Sequence, residues 1–173
     1  AEYVLNHYNF DKLVFIPAAN PPHKDCDLQC SGHRLKMAEL AALTNPKFAV
    51  SDIEYRREGK SYTYLTIKEL YKTYGKVSFI IGTDAFKKIE SWYETDKLKK
   101  LVKFIVFIRE DKFDISEYDY LKDKGYEFEF QSLPYQDISS TELREKIKKG
   151  EDIKNLVPSE VEEYIERNGL YKD

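Results

Sequence analysis

Two serines, a threonine and an arginine crowd into the stretch Ile138-Ser139-Ser140-Thr141-Glu142-Leu143-Arg144. The pattern reads as a helix start with an arginine one turn further in. Such a start offers backbone N–H groups that lack intrahelical acceptors, together with a partial positive charge. Hydroxyls and a guanidinium fork beside it make a cradle for phosphate oxygens. The plainer alternative is that these hydroxyls only cap the helix.

Other stretches carry compatible chemistry. Pro17-Ala18-Ala19-Asn20-Pro21-Pro22-His23-Lys24 leaves a strand end, and its prolines limit the entropy lost when the loop clasps a ligand. His23 and Lys24 could hold phosphates; an incidental basic pair on a surface loop is the alternative. Gly82-Thr83-Asp84 offers close backbone approach at Gly82 and a carboxylate at Asp84 for a ribose hydroxyl or a metal, or merely a turn and a cap. Trp92, within Ser91-Trp92-Tyr93, could stack on a flat heteroaromatic ring or fill a core. Glu58-Gly59-Lys60-Ser61-Tyr62-Thr63 leads into a helix whose N–H groups and Thr63 hydroxyl could receive a carboxylate or phosphate, or could simply cap. His23, Cys26, Cys30 and His33 have ligand types that zinc accepts, but their spacing matches no common finger and structural zinc is not expected there. No GxSxG elbow, HExxH pair or Walker loop is present, so the chemistry on offer is phosphate binding and orientation.

The elements that must position these residues alternate. Helices are predicted near 1–9, from Ser31 or Gly32 to Asn45, over 61–75, in two short pieces after Gly82 and after Trp92-Tyr93, and over 116–124, 139–149 and 158–168. Strands are predicted over 12–17, 48–53, 77–81, 101–108 and 126–133. The apolar run at 77–81 suggests a strand buried on both faces. Alternation of this kind implies a parallel sheet wrapped by helices, with ligands beyond the carboxyl ends of the strands. The loops at 17–24, 54–63, 82–84, 109–111 and 134–141 all follow strand ends and are expected to converge on one crevice.

A formal charge of −3 over 173 residues gives no general attraction for nucleic acid or an anionic membrane. No apolar run is long enough for a membrane span, and no signal peptide is expected. Two cysteines make no disulfide framework, so reduced thiols in a cytoplasmic protein are expected. The chain opens with Ala1, already in helical spacing with Val4, Leu5 and Tyr8 and without a cap, so a segment upstream is expected.

The segments PAANPPHK, GHRLKMAELA, EGKSYTYLTIKEL, FIIGTDAFKKIESWY, ISSTELR and VPSEVEEYIERNGLY, in this order, resemble bacterial nicotinate-nucleotide adenylyltransferases over essentially the whole chain. The resemblance implies a Rossmann-like α/β fold of nucleotidylyltransferase type, a single domain over 1–173 that includes the last two helices. It implies transfer of AMP from ATP, with Mg²⁺, to nicotinate mononucleotide, yielding deamido-NAD and pyrophosphate in NAD biosynthesis. By the same likeness Ile138, Ser139, Ser140 and Arg144 hold the ATP phosphates, and His23, Lys24, Gly82, Asp84 and Arg109 line the nucleotide crevice. Lys24 and Arg144 would act on the reacting phosphates. Tyr62, Thr63 and Trp92 would receive the pyridine nucleotide. Expected partners are these small molecules alone; a homo-oligomer is left open.

The chain departs from the family in lacking its first strand and the GGTFDPIHxGH-like motif. In the strand order 3-2-1-4-5 the first strand is central, so the strands at 12–17 and 77–81 should flank a gap. Each backbone group left buried and unpaired there costs roughly 1–3 kcal/mol, against a total domain stability of about 5–15 kcal/mol. The chain by itself is therefore expected to be inactive. Two alternatives remain: a sister adenylyltransferase acting on the amidated nucleotide or on phosphopantetheine, and a catalytically inactive nucleotide-binding fragment.

Overall fold

The computed structural model describes residues 1–20, 28–108, 113–132 and 139–172, with the backbone alone for 28–30. In chain order the elements are α1 (Glu2–Tyr8), β1 (Leu13–Phe15), α2 (Leu28–Ala42), β2 (Phe48–Val50), α3 (Thr63–Tyr74), β3 (Val77–Gly82), α4 (Thr83–Phe86), α5 (Thr95–Leu98), β4 (Val102–Ile108), α6 (Tyr120–Asp123), β5 (Phe128–Ser132), α7 (Ser140–Lys148) and α8 (Ser159–Arg167). Single 3-10 turns lie at Ile89–Ser91 and Ile115–Tyr118. The chain forms two compact units, one of residues 1–60 with 137–173, the other of residues 61–136.

In the first unit β1 and β2 pair in parallel, with Leu13 opposite Phe48 and Phe15 opposite Val50. The helix α1 buries Val4 and Leu5 and stops at Asn9, which takes a left-handed conformation that asparagine tolerates. A core of Ile153, Val161 and Ile165 gathers Met37, Leu40 and Ala41 of α2 with Leu143 and Ile147 of α7. Val161 and Ile165 are four apart, so they share one face of α8, and the charged positions between them face outward. Gly150 ends α7 as the sequence suggests. At φ +70° it lets its own N–H reach the Ile147 carbonyl and the N–H of Glu151 reach that of Lys146, a Schellman closure.

The second unit is a three-stranded parallel sheet in the order β3-β4-β5. The middle strand β4 is flanked by both neighbours, and its Phe104, Ile105 and Val106 are at most 1% exposed. Ile67 of α3, Phe86 of α4, Leu98 of α5 and Leu121 of α6 close over this sheet. Phe86 meets Phe104, Phe128 and Phe130 within 6 Å between ring centroids. Burying aromatic rings of this size in tilted contact supplies much of the unit's cohesion.

Three sequence readings need correction. The strand at 77–81 is not buried on both faces: Ile80 is 37% exposed, and among the described residues β3 has a hydrogen-bonded neighbour at one edge only. The most buried strand is β4. The helix expected from Ser31 or Gly32 begins at Leu28, so Ser31 is not its cap. The helix expected over 116–124 is a 3-10 turn followed by α6, because Asp114 caps the turn by accepting the Ser116 N–H at 2.9 Å. The pairings β1 with β2, β3 with β4 and β4 with β5 are all parallel, as the alternation of strands and helices implies, and among the described residues β1, like β3, has a hydrogen-bonded neighbour on one side only.

Candidate active site

Helix α7 in the first unit begins as a capping box. The Ser139 hydroxyl accepts the Glu142 N–H at 3.1 Å, and Glu142 Oε2 accepts the Ser139 N–H at 2.7 Å. The carboxyl of Glu142 is held below the usual glutamate range, chiefly by that backbone N–H and then by the Ser139 side chain. The capping role of Ser139 is thus realised, and its own N–H is taken. The N–H groups of Ser140 and Thr141 remain in the first turn, where helix geometry provides no acceptor. Arg144 is exposed and donates to the Thr141 hydroxyl at 3.3 Å, a weak contact that leaves its fork available. Position 138, like His23, Lys24 and Arg109, lies outside the described residues.

The second unit brings another group together. Tyr62 occupies the N-cap position of α3 without a side-chain cap bond, and Thr63 opens the helix. The Thr63 hydroxyl has no hydrogen-bond partner among the described residues. Beside this start the Tyr62 ring stacks on Tyr93, centroids 4.5 Å apart and planes 29° apart. Tyr93 is 48% exposed, so one aromatic surface of the pair is open. Trp92 is half-buried and meets Phe79 edge-on at 6.2 Å, packed against the apolar core. It therefore has a core role, whatever else it contacts. Tyr93 is the aromatic that sequence reasoning passed over; its pairing with a residue 31 positions earlier has no signature in the chain.

Gly82 ends β3 and serves as N-cap of α4 at φ −85° and ψ 159°, a conformation open to any residue. The backbone there does not require glycine. Asp84 follows as an exposed carboxylate in α4. Between them Thr83 is fully buried and its hydroxyl has no hydrogen-bond partner among the described residues. A depression of about 340 Å³ in the same unit is lined by Glu90, Thr95, Asp96, Lys99, Lys124 and Tyr126. Its charges pair with one another, Lys124 with Glu90 at 2.6 Å and Lys99 with Asp96 at 2.7 Å, and none of the sequence-predicted site residues lines it.

At the zinc-like spacing, His23 and Cys26 are outside the described residues, as is the Cys30 side chain. His33 has its Nδ1 in a 2.8 Å hydrogen bond with the Tyr164 hydroxyl. Among the described residues no helix is long and apolar enough to cross a membrane.

Residues 1–146 match the cytidylyltransferase-like family. A probable nicotinate-nucleotide adenylyltransferase of Clostridium tetani is 38% identical, over 97% of this chain and 88% of its own length. The counterpart in Thermoanaerobacter sp. (strain X514) is 40% identical, over 99% and 85%. The chain belongs to the nicotinate-nucleotide adenylyltransferase family. For this adenylyltransferase-family chain the fold comparison agrees. The Plasmodium falciparum nicotinic acid mononucleotide adenylyltransferase complexed with NaAD superposes with a TM-score of 0.74 at 23% identity, covering 98% of this chain and 89% of that one. The same enzyme complexed with APC gives 0.70 at 25% identity. The nucleotidyltransferase α/β fold, with parallel strands flanked by helices, is thereby established.

Proposed function

We propose that this chain transfers the adenylyl group of ATP to nicotinate mononucleotide, releasing pyrophosphate and forming deamido-NAD, a step of NAD biosynthesis. The observation that carries the reading is the start of α3. An uncapped helix N-terminus, with a Thr63 hydroxyl that has no partner among the described residues, adjoins the stacked pair Tyr62 and Tyr93. A nicotinate ring presents a carboxylate on an aromatic plane, and these two features answer those two needs.

The reaction needs no protein nucleophile. An oxygen of the nicotinate mononucleotide 5′-phosphate attacks the α-phosphorus of ATP; the new O–P bond forms as the bond to the β-phosphate bridging oxygen breaks. The protein's part is positioning and stabilisation of charge developing at phosphorus. Arg144 and the N–H groups of Ser140 and Thr141 supply positive potential at the α7 start, with Lys24, His23 and Arg109 assigned the same part from the sequence. Asp84 is an exposed hard-oxygen donor of the type magnesium accepts, and fits a Mg²⁺ carried in with ATP. That ion, when bound, supplies neutralisation of the polyphosphate charge.

The test is the ratio of kcat/KM for nicotinate over nicotinamide mononucleotide, in the protein expressed from its complete reading frame and in its Thr63→Val variant. A hydrogen bond to a charged group is worth roughly 1.5–3 kcal/mol, so the variant should lose roughly 10- to 100-fold of its preference for the acid. An unchanged ratio removes Thr63 and the α3 start from substrate recognition.

A further inference from the structure

Helix α2 braces the exits of both strands in the first unit. Arg34 is half-buried and donates from its guanidinium to the Ala18 carbonyl at 3.0 Å, just after the end of β1. Three residues earlier on the same side of the helix, the buried Ser31 offers its carbonyl to the Tyr55 hydroxyl at 2.7 Å. Tyr55 belongs to the turn leaving β2, where its own N–H and that of Arg56 both reach the Asp52 carbonyl. The side-chain amide of Asn20 reaches the Gly59 carbonyl at 3.4 Å, a third, weaker tie between the two exits. Gly59 holds φ +89°, which a side chain would strain.

Arg34 has no carboxylate partner among the described residues. A half-buried guanidinium directed at a neutral loop carbonyl fixes backbone position; it does not neutralise a charge. The Ala18 carbonyl that Arg34 holds and the turn that Tyr55 anchors to α2 both follow the carboxyl ends of parallel strands, the end at which such sheets bind ligands. We infer that Arg34 and Tyr55 are positioning residues for adenylyl transfer: by tying α2 to the chain beyond β1 and β2, they set where it leaves those strands, and so the site offered to ATP. The inference rests on the proposed activity, since it names the site that the brace serves.

The experiment compares Arg34→Met, Arg34→Lys and Tyr55→Phe with the unaltered protein, all from the complete reading frame. It measures steady-state pyrophosphate release, calorimetric binding of Mg-ATP and thermal unfolding. Loss of a charge-assisted hydrogen bond that orders a binding segment should raise KM for ATP roughly tenfold in Arg34→Met, with kcat changed much less. Arg34→Lys should recover most of the loss, because an ammonium also reaches a carbonyl. Tyr55→Phe should show a smaller rise of the same kind. Calorimetry should rank the variants in the same order. The inference is overturned if Arg34→Met keeps the ATP affinity and KM of the unaltered protein. It is equally overturned if weaker binding tracks a fall in melting temperature and Lys does not rescue it. Should the unaltered protein bind Mg-ATP yet release no pyrophosphate, the activity reading fails, and the calorimetric series alone decides the brace by the same two outcomes.

Discussion

Ser139 has a structural duty and an assigned ligand duty, and substitution by two good caps separates them. Asn and Asp both cap helices about as well as Ser, whereas loss of the cap, as in Ser139→Ala, costs about 1 kcal/mol. For a chain of this size that corresponds to a fall in melting temperature of about 2–4 °C. Ser139→Asn and Ser139→Asp should therefore both melt within about 2 °C of the unaltered protein. They differ by one negative charge at the mouth of α7, where the Ser139 Oγ lies 3.1 Å from the Glu142 nitrogen and the next two N–H groups are open. A carboxylate about 4 Å from a phosphate oxygen costs about 4 kcal/mol at an effective dielectric constant of 20 and about 1 kcal/mol in full water. Because α7 begins in an exposed position, the result should fall between these limits. Ser139→Asp should then lose between about fivefold and a thousandfold in kcat/KM relative to Ser139→Asn. Steady-state pyrophosphate release on the two purified variants, with melting curves alongside, measures this. Equal kcat/KM in two equally stable variants would refute a phosphate at the α7 start.

Arg144→Ala should lower kcat on the order of 10²–10³-fold while the melting temperature stays close to that of the unaltered protein, because the side chain is exposed and its hydrogen bond to Thr141 is long; steady-state kinetics and a melting curve check both halves. Thr83→Val should leave stability unchanged or raise it by up to about 1 kcal/mol in urea unfolding, since a fully buried hydroxyl without a partner gives way to an isosteric apolar group. Acidification should release the capping box. The Glu142 carboxyl is lowered in the folded state, so its contribution is fully present above the unfolded glutamate value of about 4.3 and is lost as pH falls through the lower folded value. The Ser139 amide resonance in an NMR titration should move over that acidic window, and Glu142→Gln should abolish the movement.

Much of this architecture is legible in the chain because single strong signals mark it. The run from Val102 to Ile108 is apolar at nearly every position, as a strand covered on both faces must be, and β4 occupies that span. Gly75 and Gly150 mark the ends of α3 and α7 because both need a positive φ. The run at 77–81 looks equally buried, yet whether a strand has one neighbour or two is a property of the sheet and not of its own residues. At the site, Ser139 followed three residues later by Glu142 is a capping-box signature, and it gives the capping alternative its reciprocal partner. The Tyr62–Tyr93 stack and the Arg34 and Tyr55 tethers join residues 16 to 31 positions apart, and no local pattern announces such contacts.

The most direct test of the account is pyrophosphate release from ATP and nicotinate mononucleotide by the protein from its complete reading frame, with the dinucleotide product identified by mass and nicotinamide mononucleotide run in parallel. The account predicts stoichiometric deamido-NAD and pyrophosphate with clear preference for the acid. ATP binding without either product, or turnover that favours the amide, would contradict it.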